Sequence, residues 1–231
     1  LAYAEEQSRF DLNDVATSAT EDGEGFILNG KKSMVLNAES ADKIIVVART
    51  SGGQTEEDGI SLFILDTGSE GIVMENFPTV DGLRASEISL ENVKVSKEDL
   101  VGEKDKGFDI LQAVANDAIL ALAAEAVGAM EVLYKDTVEY TQQREQFDHA
   151  LSDFQVLQHR MVDMFMEYEQ CKSLLFRATM ETVQDPIMAQ RTIHALKHLI
   201  GKSGIFVGEN AVQLHGGMGV TEELRIGHFF K

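Results

Sequence analysis

The chain has 231 residues, 44% of them hydrophobic, and a formal net charge of −19. That length can bury the core of one large or two ordinary domains, and the acidic balance argues against non-specific binding to nucleic acid or an anionic membrane, because a polyanion binder needs a basic face. The one cysteine, Cys171, excludes an internal disulfide and fits a reducing cytoplasm.

No apolar run approaches the roughly 20 residues that span a bilayer, and no basic-then-apolar leader is present, so membrane insertion is not expected. The sequence starts without a methionine and stops inside a patterned segment, as a fragment would.

Residues 1–101 follow a period of two. Phe26 to Leu28 and Ser33 to Leu36 flank Asn29-Gly30, a dipeptide suited to a tight hairpin. Further strands are expected at Ile44 to Ala48, Ile60 to Leu65, Ile72 to Phe77 and Glu87 to Val95, with turn-formers between them. This spacing predicts a small antiparallel barrel or sandwich.

From Gly102 the period becomes helical. Phe108, Leu111, Ala115, Ala118, Leu122, Ala126 and Leu133 define a first stripe, and Phe154, Leu157, Met161, Met164, Tyr168, Cys171 and Leu175 a second. Ile193, Leu196, Ile200, Val207, Ala211 and Leu214 define a third, which begins after Asp185-Pro186. An antiparallel bundle of four-helix type follows for residues 102–231, and the fold class is α+β with two domains. Met161, Met164 and Met166 read as gap-filling core, and Cys171 as a core thiol.

Two interruptions of the helical half carry the residues that suit ligand chemistry. Arg144 to Ser152 joins the first helix to the second, and His215 to Gly219 closes the third. Arginine donates in pairs to phosphate or carboxylate, and Gly216, Gly217 and Gly219 let a ligand approach the backbone. Taken alone, the glycine run also reads as a helix stop and Arg144 as an interhelical ion pair. His194 and His198 lie one turn apart without an acidic third ligand, so no metal site is assigned. Gly-x-Ser-x-Gly, Walker and Cys-x-x-Cys motifs do not occur.

Six segments in order resemble the acyl-CoA dehydrogenase flavoproteins: AYAEEQSRFD at 2–11, ILNGKKSMVLNAESADKIIVVART at 27–50, GLRASEISLENVKV at 82–95, VGEKDKGF at 101–108, REQF with FQVLQHRMVDM at 144–164, and QLHGGMGVTEE at 213–223. The resemblance covers the family's middle β domain and C-terminal helical domain, not its N-terminal helical domain. NDAILALAAEAVGAM and GHFFK look most like the small subunit of pimeloyl-CoA dehydrogenase-type heteromers.

The resemblance implies FAD-dependent α,β-dehydrogenation of an acyl-CoA thioester, with electrons passed to an electron-transferring flavoprotein. It implies that Arg144, Phe147 and Gln155 reach the ADP half of FAD on a neighbouring subunit, and that Gln213, Gly216 and Gly217 cradle the pyrophosphate. A homo- or hetero-oligomer follows, usually a dimer of dimers.

The family's usual glutamate base lies beyond residue 231, and its alternative position on the first long helix is Ala118, beside Ile119. Asp117 and Glu125 are the nearest carboxylates there, and no catalytic residue is assigned. Met34, Leu36, Ala4 and Phe10 replace polar or aromatic residues that face flavin or substrate in the family. The alternative reading is therefore a scaffold subunit that completes the FAD site of a catalytic partner. Glu222 and Glu223, after the glycine loop, suit a helix start.

Overall fold

A computed structural model of the chain describes residues 1–230, which form two compact units, Leu1–Val114 and the residues from Ala115 onward. The first unit holds strands β1 (Ser18–Asp22), β2 (Gly25–Leu36), β3 (Lys43–Arg49), β4 (Ile60–Asp66), β5 (Ile72–Pro78), β6 (Arg84–Ser96) and β7 (Leu100–Val101). They make one sheet in the order β5-β6-β2-β1-β3-β4-β7, antiparallel except where β1 meets β3.

Alternation sorts the side chains between two cores. Ile44, Val46 and Ala48 of β3 join Phe26, Leu28, Phe63, Leu65, Ile88 and Val93 on one face. Val47, between them, joins Ile60, Leu62 and Leu111 on the other. Each fully buried side chain of this kind contributes about 1.5–3 kcal/mol.

The structure corrects the expected Asn29-Gly30 hairpin. β2 runs straight through this dipeptide, and its true hairpin partner is β1, which sequence pattern did not reveal. Asn29-Gly30 instead lies opposite a bulge in β6, where Glu91 and Asn92 face the single residue Asn29 and the register slips between Leu28 and Gly30. A Cβ on Gly30 would lie 2.5 Å from Thr17 Oγ1 and 2.7 Å from Thr17 Cα, so glycine is required there by close backbone approach.

The opening segment is tied to β3 by Ala2, whose N–H donates to Ile45 and whose carbonyl accepts from Val47. That brings Glu5 onto Lys32, with Lys32 Nζ 2.6 Å from Glu5 Oε1 and both side chains buried. Glu5 also accepts from the backbone N–H of Ala16 and Thr17 and from Gln7. Burial pulls the Lys32 ammonium down to about 8 against the opposing pull of Glu5. Burial also pushes the Glu5 carboxyl upward, but the Lys32 charge and these hydrogen bonds outweigh it and leave it below its ordinary value.

The second unit is helical: α1 (Gly107–Gln143, starting in the first unit), α2 (Gln155–Gln184), α3 (Pro186–His215) and the five-residue α4 (Ile226–Phe230). A two-strand ribbon, β8 (Glu145–Gln146) and β9 (His149–Ala150), sits between α1 and α2. Asp185 caps α3 by accepting from the N–H groups of Ile187 and Met188, and Pro186 occupies its first turn, where a missing N–H is harmless. The single residue between α2 and α3 folds them back antiparallel.

The second and third stripes enter the core as expected: Met161, Met164, Tyr168 and Cys171 pack with Val207, Ala211 and Leu214, and Ile193 and Leu196 with Ala178 and Ala189. Burial pushes the Cys171 thiol above its ordinary value, which suits a core residue.

Three expectations are corrected. Leu111 and Leu133 of the expected α1 stripe are buried, but the residues buried between them are Ala123, Val127 and Met130, whereas Ala118 and Leu122 are exposed. Met166 is exposed rather than core. By length and composition alone α1 could also cross a membrane, with 17% of its most apolar 18-residue window buried. The two findings on α1 share a cause. Between Ile110 and Met130 only Asp117 and Glu125 are charged, so alanine-rich apolar surface surrounds the helix and periodicity cannot choose a face.

Candidate functional site

The second unit contains a cleft of about 980 Å³ between the end of α1, the start of α2 and the end of α3. Four of the residues singled out in the sequence meet in it: Arg144, Gln213, Gly216 and Gly217. They come from segments about 70 positions apart.

The local folding explains the convergence. The Arg144 N–H closes the last turn of α1 on Tyr140, and its carbonyl accepts from Leu151, which pins the base of the β8–β9 ribbon. Phe147 and Asp148 form the ribbon tip with φ of 57° and 61°, the left-handed conformation demanded by a two-residue turn of the primed type. Asp tolerates it; a phenylalanine there is strained. The Phe147 ring is 84% exposed and touches Phe154 edge-on at 6.4 Å between centroids. Neither Phe147 nor Gln155, which opens α2, lines the cleft.

On the opposite wall α3 stops at Gly216, whose φ of 61° only glycine adopts cheaply and whose N–H donates to Gln213. A Cβ on Gly216 or Gly217 would meet nothing within 4 Å, so their backbone faces open space. His215 just before them is buried, its ring stacked on Tyr140 at 4.3 Å and its Nδ1 2.8 Å from the Ala211 carbonyl oxygen. The Tyr140 hydroxyl donates to the His215 carbonyl at 3.5 Å. Tyr140 and His215 thus join the glycine turn to α1.

Sequence reasoning missed Tyr140 and Arg160 as lining residues. Tyr140 lies one helical turn before Arg144, and Arg160 one turn after Val156, another lining residue, so face periodicity carried a signal for both. Among the described residues no ion pair involves Arg144 or Arg160. The cleft therefore combines two uncompensated guanidinium groups, an amide side chain and accessible glycine backbone with apolar walls from Leu151, Val156 and Leu157. This donor set suits an anion attached to a flat, partly apolar group.

The other residues noted in the sequence stand elsewhere. Met34, with φ of 52°, and Leu36 are exposed on β2, and Phe10 is 92% exposed. Asp117 and Glu125 are exposed on α1, and Glu222 and Glu223 are exposed after the glycine turn.

The family model described as the acyl-CoA dehydrogenase C-terminal domain matches residues 105–231, and that of the middle domain matches residues 1–93. A 3-(aryl)acrylate reductase of Clostridium sporogenes is 31% identical over 234 residues, spanning 100% of this chain and 62% of the relative. A short-chain-specific acyl-CoA dehydrogenase of Megasphaera elsdenii is 32% identical over 218 residues, spanning 92% of this chain and 56% of the relative. A solved structure of PigA with FAD and proline superposes with a TM-score of 0.92 at 30% identity, over 99% of this chain and 60% of that one. The chain thus spans about 60% of the length of these relatives. With both family models in sequence order and the fold shared throughout, the chain belongs to the acyl-CoA dehydrogenase family.

Proposed function

We propose that this chain is part of a FAD-dependent oxidoreductase acting on the Cα–Cβ bond of an acyl-CoA thioester, and that the cleft of the second unit holds the ADP half of the flavin. The observation that carries the reading is the meeting of Arg144 with Gln213, Gly216 and Gly217 around one open cleft. The bound flavin supplies the two-electron chemistry. The protein's part is binding and orientation. Arg144 offers a planar fork to a phosphoryl oxygen. Gly216 and Gly217 present their main chain to open space, where the diphosphate can approach it. Phe147, strained and exposed at its ribbon tip, offers a ring to the nucleotide of a neighbouring copy, and Gln155 an amide at the start of α2.

The relatives named above include both a reductase and a dehydrogenase, and the site serves either direction. An electron-transferring flavoprotein is the redox partner this reading calls for, and an oligomer completes the site. A second reading, a scaffold subunit that lends this cleft to a catalytic partner, is favoured by one observation: Ala118 and Ile119 offer no proton acceptor on α1, and Met34 and Leu36 present only apolar surface on β2. Mixing with a candidate partner separates the two, because a scaffold bleaches flavin on acyl-CoA addition only in the mixture.

Arg144→Ala tests the site itself. Because Arg144 is exposed and supports no ion pair, its loss is expected to lower FAD affinity about tenfold and to leave the unfolding midpoint unchanged. Unchanged affinity would contradict the role.

A further inference from the structure

We infer that Arg160 is a second phosphate-binding cation of the cleft, so that with Arg144 it selects ligands carrying a diphosphate over those carrying one phosphate. The inference rests on the ADP reading above and deepens it.

Arg160 projects from the same face of α2 as Val156 and Leu157, while Met161 and Met164 beside it turn into the core. It lines both the main cleft and an adjoining groove of about 440 Å³, and Gln213 lines both as well. Arg160 and Gln213 therefore stand where the two hollows meet. The Arg160 side chain makes one polar contact, from Nη1 to Asn210 Oδ1 at 3.4 Å, which leaves most of its donors available. Glu209 lines the same groove, yet it forms no ion pair with Arg160. In a chain of net charge −19, an exposed arginine without a carboxylate partner that shares a cleft with a second such arginine makes a local basic site.

The chemistry follows from charge number. A diphosphate carries charge on each of its two phosphoryl groups, and a single guanidinium fork engages one. Arg144 and Arg160, both lining the cleft with the glycine turn, provide one fork for each. A monophosphate uses one and gains little from the second.

Equilibrium binding of FAD, ADP and AMP to the purified protein, each over a series of NaCl concentrations, tests this. Arg160→Gln is expected to weaken FAD and ADP about tenfold and AMP less than about threefold, and to flatten the salt dependence for ADP. Arg160→Lys, which keeps the charge and loses the fork, is expected to fall between. If Arg160→Gln binds FAD and ADP like the unaltered protein while Arg144→Ala binds them weakly, the Arg160 assignment is overturned and the ADP reading stands. Equal losses for ADP and AMP would overturn the diphosphate selectivity. If neither variant changes ADP binding, or ADP does not bind, the underlying reading fails and this inference with it. Arg160 is exposed, so unchanged thermal unfolding of both variants is the control for folding.

Discussion

Arg49 in the first unit and Arg144 in the second are the same residue put to opposite uses. Arg49 is 9% exposed and donates to the carbonyls of Val15, Asp58, Asn13, Gln54 and Glu56, so its fork is consumed in holding two loops together. Arg144 faces an open cleft, and Arg160 beside that cleft keeps one long contact. The contrast extends to the units. In the first, the charged pair Glu5–Lys32 is sealed in the core and satisfied there. In the second, the polar groups around the cleft are left for something that is not part of the chain. A cation with all its donors engaged reads as architecture, and one facing empty volume reads as a binding group.

This contrast can be broken most directly at the buried pair. Lys32→Met leaves the Glu5 carboxylate buried without its partner and is expected to cost about 3–5 kcal/mol in urea unfolding. The double variant Glu5→Gln/Lys32→Met should recover much of that. Removal of Lys32 without loss would mean that the first unit's charges are no more structural than those of the cleft. The pair also has a pH signature. The Glu5 carboxyl is held below its ordinary 4.5, so the folded chain binds fewer protons there than the unfolded chain. Its contribution is complete above that value and is lost as pH falls through the lowered one. The stability gap between the unaltered protein and Glu5→Gln should therefore narrow on acidification.

A smaller effect, of opposite sign, is expected at the ribbon tip. Phe147→Gly relieves a left-handed phenylalanine and should raise stability by about 1 kcal/mol, while lowering FAD affinity. A stability gain with unchanged affinity would remove Phe147 from the site and leave its strain without a function.

The sequence made some of this legible. Strand and helix positions followed from period, since Ile44 to Ala48 and Met161 to Cys171 each have one apolar face. Arg144 and the glycine turn were recognisable because their chemistry is unusual in helix connections. Other features depended on distance in space. Gly30 looked like a hairpin residue until Thr17 was found against it, and nothing local marks Thr17 as its neighbour. Arg160 resembled any surface arginine on α2: periodicity places it on one face with Val156, but only the folded chain brings that face to Gln213. The face of α1 was unreadable for a different reason, its lack of polarity to orient it.

The central claim is that nucleotide binds at the open cations of the second unit and not at the satisfied ones of the first. Amide hydrogen exchange with and without ADP measures this position by position. Slowed exchange at Gly216 to Gly219 and around Arg144, with the amides of β1 to β6 unchanged, is the predicted result; protection confined to the first unit, or absent from the glycine turn at saturating ADP, would contradict it.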